Sequence, residues 1–158
     1  MKKRANVFSI IAFAFAILGL IMQMSMYVAQ DFYIELFGGV EPLDDKFFQP
    51  VDMIGSLVLF AIYTAVCAMV ICTKRNNALV IAVVGMILFF VANIAISFAG
   101  NVYAKYILQQ YLEDGEANMY AAYSLLTRLR GFFVAPCFST AMLFHGISLG
   151  ALVGEKSE

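Results

Sequence analysis

Apolar residues in this chain fall into four long blocks, and most polar residues lie in the intervals between them. The first block covers 7–29, with Gln23 its one strongly polar interruption, and the second covers 53–72. The third, 78–100, contains Asn93 and Ser97, and the fourth, 131–153, contains His145. Each reaches the ~20 residues that a helix needs to cross a ~30 Å hydrocarbon layer. Lipid offers no partner to free backbone N–H or C=O groups, so blocks of this length must be helical. The pattern predicts one all-α integral membrane domain over 1–158, an antiparallel four-transmembrane-helix bundle.

The intervals carry helical patterns of their own. In the segment 31–52, Phe32, Leu36 and Phe37 recur at helical spacing ahead of Gly38 and Gly39. That predicts a short interfacial helix. Pro42 and Pro50 punctuate the rest of the segment, with the aromatic pair Phe47 and Phe48 suited to the interface. Pro50 is a start signal for the second span. In the segment 101–130, Tyr103, Tyr106, Ile107, Gln110 and Tyr111 keep a spacing of three and four. Met119, Tyr123, Leu126 and Leu129 do the same beyond Asp114 and Gly115. The third and fourth helices are therefore expected to run ~35 residues, or ~50 Å, each. They would leave the membrane as an outer hairpin turning at Asp114 and Gly115. Tyr103, Tyr106, Tyr111, Tyr120 and Tyr123 would line it as hairpin core and interfacial belt.

Composition agrees with lipid as a solvent. With 63% of residues hydrophobic and 13% charged, and mean hydropathy +0.85, too few polar side chains remain to coat a soluble domain, where ~25% charged is usual. A net charge of -1 argues against a nucleic-acid partner, because phosphate binding needs a concentrated basic surface. The placement of charge sets orientation. Lys2, Lys3, Arg4, Lys74, Arg75 and Lys156 fall on one side of the spans. Asp31, Glu35, Glu41, Asp44, Asp45, Asp52, Glu113, Asp114 and Glu116 fall on the other, against Lys46, Lys105, Arg128 and Arg130. The positive-inside rule then places both termini in the cytoplasm, with the chain in the plasma membrane. The first span exceeds the ~7–15-residue core of a signal peptide. Cleavage after Ala29 would also set bulky Tyr27 at the −3 position, so this span is expected to stay as an anchor.

Candidate chemistry is sparse. His145 is the ionisable group that lies well inside a span, where charge is expensive. A structural hydrogen bond is its first expectation, with proton relay or ligand contact as the alternative. Gln23, Asn93, Ser97 and His145 make up a candidate polar intramembrane site; Asn93 and Ser97 share a helix face that Gln23 could answer. Arg128 and Arg130 are candidate contacts for a lipid headgroup or other anion, or partners for Asp31, Asp52 or Glu116. Asp52 reads as a partner for the dipole of the second span. Gly146, Gly150 and Gly154, at intervals of four, form a helix-packing ridge. Pro136 is expected to kink or loosen the fourth helix by freeing a carbonyl one turn back. Cys67, Cys72 and Cys137, odd in number and inside apolar blocks, read as packing residues rather than a disulfide framework.

No catalytic, metal-binding or cofactor-binding constellation appears in the sequence. It has one His in total, no carboxylate pair within a span, no Cys-x-x-Cys and no phosphate-cradling Gly loop. The expected function is that of a non-enzymatic assembly or accessory subunit, or oligomeric scaffold. Its partners would be membrane lipids and a second copy or another membrane protein. A small transporter or channel using Gln23, Asn93 and His145 is the alternative, and a lipid-modifying enzyme holding a headgroup on Arg128 and Arg130 the third.

Overall fold

The computed structural model describes residues 2–38, 50–73 and 75–154, and every element in them is helical. In chain order these are α1 (Lys2–Val28), α2 (Gln30–Gly38), α3 (Pro50–Cys72), α4 (Arg75–Glu113) and α5 (Ala117–Gly154). Four of them, α1, α3, α4 and α5, are long and apolar enough to cross a membrane. The segment holding Pro42, Lys46, Phe47 and Phe48 lies outside the described residues, as do Lys74 and Lys156.

Contacts link the long helices in a ring: α1 packs on α3 and α5, and α4 packs on the same two. In each helix the buried positions recur at steps of three and four. On α1 they are Ala5, Ser9, Ala12, Ala16, Gly19, Gln23 and Met26; on α5, Val134, Phe138, Ala141, His145, Ser148 and Leu152. Asp52, Ser56, Leu59, Tyr63, Val66 and Val70 do the same on α3. A mean step of ~3.5 residues keeps one seam of a helix turned toward its neighbours, the basis of knobs-into-holes packing.

The seam on α1 is made of small residues, which matters in lipid. There the hydrophobic effect does not favour helix association, so close van der Waals approach and interhelical hydrogen bonds must hold the helices together. Ala5, Ala12 and Ala16 are fully buried. A Cβ placed on Gly19 would sit 3.0 Å from the Phe138 ring. Ser9 and Ser148 hydroxyls meet at 2.9 Å, and Ser148 also donates to the Ala5 carbonyl at 2.9 Å. Cys67 on α3 donates to the Ser9 carbonyl at 3.1 Å, tying a third helix to the same point.

The α4–α5 turn follows from one glycine. Gly115 has φ of 74°, a conformation that costs a residue without Cβ little. Its N–H bonds the Leu112 carbonyl at 3.3 Å, and the Glu116 N–H bonds Tyr111 at 2.9 Å. These are the two bonds of a Schellman cap, which satisfies the last carbonyls of α4. On either side, α4 and α5 have 39 and 38 residues, somewhat longer than expected. Ala104, Ala122, Tyr123 and Leu126 form a buried cluster near this turn together with Ile34 of α2. The short helix thus packs on α5 through Ile34, while Phe32, Leu36 and Phe37 stay exposed. α5 continues unbroken past Pro136. The proline is exposed, and the Cys137 thiol donates to the Phe133 carbonyl at 3.2 Å, beside the bond that proline removes.

Candidate functional site

Polar side chains gather at two levels of the long helices. The first is the start of α3. Asp52 lies in its first turn, where the helix dipole favours an anion. From α5, Arg130 reaches it, and the two form an ion pair through Nη1 and Oδ1. Both side chains are substantially withdrawn from solvent, at 22% exposure for Arg130 and 7% for Asp52. Gly100 on α4 makes room for them: a Cβ there would stand 2.8 Å from the Asp52 carboxylate and 3.6 Å from the guanidinium.

Beside the pair is a cavity of about 100 Å³ to which all four long helices contribute. Gln23 of α1, Ser56 of α3, and Asn93 and Ser97 of α4 supply its other polar groups, above a floor that includes Leu59 and Phe138. The Gln23 side chain is 5% exposed, and its Oε1 has no hydrogen-bond partner among the described residues. Ser97 donates weakly to Asn93 Oδ1 at 3.4 Å. The deep residues Gln23, Asp52 and Ser56 are buried, whereas Ser97, Gly131 and Ala135 are exposed. The mouth therefore lies between α4 and α5. Gln23 and Arg130 also line a second, smaller cleft with Tyr27 and Gln30.

The second level is around His145. Its Nε2 donates to the Ala82 carbonyl across to α4 at 3.2 Å, and the Tyr63 ring meets it edge-on at 6.2 Å. His145 and Tyr63 are each 2% exposed. His145 Nδ1 and Tyr63 Oη lack a partner among the described residues.

The structure thus brings Gln23, Asn93 and Ser97 to one cavity and adds Arg130 to it, while His145 is not among its lining residues. Arg128 is exposed and takes no part. Two residues turn a helix by ~200°, so Arg128 and Arg130 point to opposite sides. Of the glycine ridge, Gly146 approaches the Met86 methyl, 3.2 Å from a would-be Cβ, but a Cβ on Gly150 or Gly154 would have no neighbour within 4 Å. The close approaches within the chain fall at Gly19, Gly55, Gly85 and Gly100 instead. Among the hairpin tyrosines, Tyr123 is buried and meets Tyr111 edge-on at 6.2 Å, whereas Tyr106 is largely exposed.

From sequence, Asp52 reads as a helix-dipole partner and one of three options for the arginines, while Ser56, Tyr63, Ser9 and Ser148 are not singled out. The regular recurrence of small or polar residues at 5, 9, 12, 16, 19 and 23 was the available signal. Compared with models of known protein families, with curated proteins and with solved structures, the chain matches none.

Proposed function

We propose that this chain is a multi-pass plasma-membrane protein with cytoplasmic N and C termini that serves as a non-enzymatic assembly or accessory subunit. Four long apolar helices support the membrane setting. Contacts of Ser9 with Ser148 and of Gly19 with Phe138 support an antiparallel bundle, because rising numbers on α1 meet falling numbers on α5. Lys3 and Arg4, both exposed at the start of α1, support the orientation.

The observation that carries the reading is the outer face of α4. At ~1.5 Å per residue the 39-residue helix extends about 58 Å, roughly twice a ~30 Å hydrocarbon core. It passes the start of α3 at Gly100, beside Asp52. Residues 101–113 then add about 20 Å. Val102 and Tyr106, four residues apart, form an exposed apolar row along this part, with Leu112 exposed beyond. A row of this kind outside lipid is what a partner helix or second copy would cover.

The test is the mass of the purified protein in mild detergent, combined with cysteine cross-linking at Val102→Cys and Tyr106→Cys in a Cys72→Ser background. The reading expects an assembly heavier than the 17.5 kDa chain and cross-links at both positions. Ile21→Cys, exposed on α1, should give none. A monodisperse monomer without cross-links overturns it. The shared cavity of Gln23, Asn93 and Ser97 favours the transporter reading as the runner-up. That reading needs solute flux in proteoliposomes, abolished by Asn93→Leu, and it gains no support from His145.

A further inference from the structure

We propose that the cavity beside Asp52 and Arg130 binds the headgroup of a phospholipid carrying a primary ammonium, which enters sideways between α4 and α5. The first ground is the unfinished hydrogen bonding. Gln23 is 95% withdrawn from solvent, lines the cavity and has an Oε1 acceptor without a partner among the described residues. An unmet buried acceptor is costly, so the site calls for a donor. Arg130 has five N–H donors, and its protein partner is Asp52, reached through Nη1.

The second ground is charge. Asp52 and Arg130 neutralise one another, so the cavity has no net attraction for a simple ion. A bare phosphate would face the Asp52 carboxylate, and a bare cation would face Arg130. A group with both charges meets both sides: its phosphate takes the remaining guanidinium N–H donors, and its ammonium donates to Asp52 and Gln23. A primary ammonium has three N–H donors for that purpose, whereas a quaternary ammonium has none. This selects an ethanolamine-type headgroup over a choline-type one.

The third ground is the way in. The mouth is edged by Ser97 on α4 and by Gly131 and Ala135 on α5, and it opens on the flank of the helices rather than along their axis. It lies at the level where α3 begins, the polar boundary of the shortest interior span. About 100 Å³ takes the polar end of a lipid and leaves its chains outside. Phe98 and Phe132, next in sequence to Ser97 and Gly131, are 71% and 74% exposed, the highest values among the large apolar residues described. Acyl chains would lie against them.

The experiment is native mass spectrometry of the detergent-purified full chain with short-chain phosphatidylethanolamine, phosphatidylcholine or phosphatidylglycerol added. Free phosphoethanolamine serves as a competitor. The expected result is retention of the ethanolamine lipid over the other two by at least about tenfold, the weight of one buried hydrogen bond to a charged group. Gln23→Leu should remove that preference by deleting the acceptor. Ala135→Phe should reduce retention by a similar factor by closing the mouth while leaving Asp52 and Arg130 intact. Equal retention of the three lipids by the unaltered chain overturns the proposal. So does a preference that survives both substitutions in folded protein. Free phosphoethanolamine that competes as well as the intact lipid overturns lateral delivery.

Discussion

The polar groups around His145 and around Arg130 draw on similar resources and reach opposite states. Each places a nitrogen base or cation from α5 against a group on another helix. At His145 the apolar neighbours close in: Tyr63 lies edge-on, Phe89 sits 4.4 Å from Tyr63 by ring centroids, and the Ala82 carbonyl takes the Nε2 proton. One helical turn further, the Ser9–Ser148 pair knits α1 to α5. The Arg130 level has the same number of helices but keeps about 100 Å³ between them. The cause is local. Gly131 and Ala135 put little side-chain bulk at the mouth of the cavity, and Gly100 leaves room for the ion pair. Burial of a polar residue is therefore not enough to mark a ligand site in lipid. What distinguishes one is donors and acceptors left over beside unfilled space.

Several substitutions would break or sharpen that contrast. The largest effect is expected from Arg130→Gln, which strands the Asp52 carboxylate; loss of one partner of a buried pair costs about 3–5 kcal/mol. Reversible unfolding in mixed detergent would measure it, and adding Asp52→Asn should recover most of the loss. If Arg130→Gln were no more harmful than His145→Leu, the two levels would not differ in kind. Gly100→Ala comes next. Its methyl would press on the Asp52 carboxylate, and overpacking of this type costs about 1–3 kcal/mol. Gly150→Ala, with open space around the added methyl, should stay within about 0.5 kcal/mol of the parent. The closed level predicts a cost between those of Gly100→Ala and Gly150→Ala for Ser148→Ala, which removes two interhelical bonds at about 0.6 kcal/mol each. Gln23→Leu should be the mildest. It removes an acceptor that has no partner among the described residues, so the unfolding midpoint in lipid-free detergent should hold or rise slightly.

Helix number and length were legible because they depend on local composition. Apolar runs at 53–72, 78–100 and 131–153 each lie within a long helix, and the run at 7–29 passes the end of α1 by one residue. The turn at Asp114 and Gly115 was equally local, a matter of one residue without Cβ. Phe32, Leu36 and Phe37 correctly signalled α2, but the residue that anchors it is Ile34, on the opposite face. Which face of a long helix turns inward was much harder to read. In a soluble helix the polar side betrays the buried side. Here the exposed Val80, Ile87 and Phe98 are as apolar as the interior, so periodic hydrophobicity carries little contrast. Residue size carried it instead, in the alanines, serine and glycine of α1. The glycines at 146, 150 and 154 repeat just as regularly, yet α5 turns Gly150 outward and packs through Ser148 and Leu152.

The amino-acid order alone thus determined that the chain forms long membrane-length helices, where along the chain they lie, and that polar groups interrupt them at 23, 93, 97 and 145. Backbone satisfaction in lipid is a property of each segment by itself, and it leaves no other choice. Only the tertiary structure decided which of those interruptions meet. Gln23, Asn93 and Ser97 come together with Asp52 and Arg130 because four helices converge at that level. His145 joins Ala82 and Tyr63 instead. Those pairings depend on the rotation and stagger of whole helices, set by a few close contacts of small residues spread across the chain.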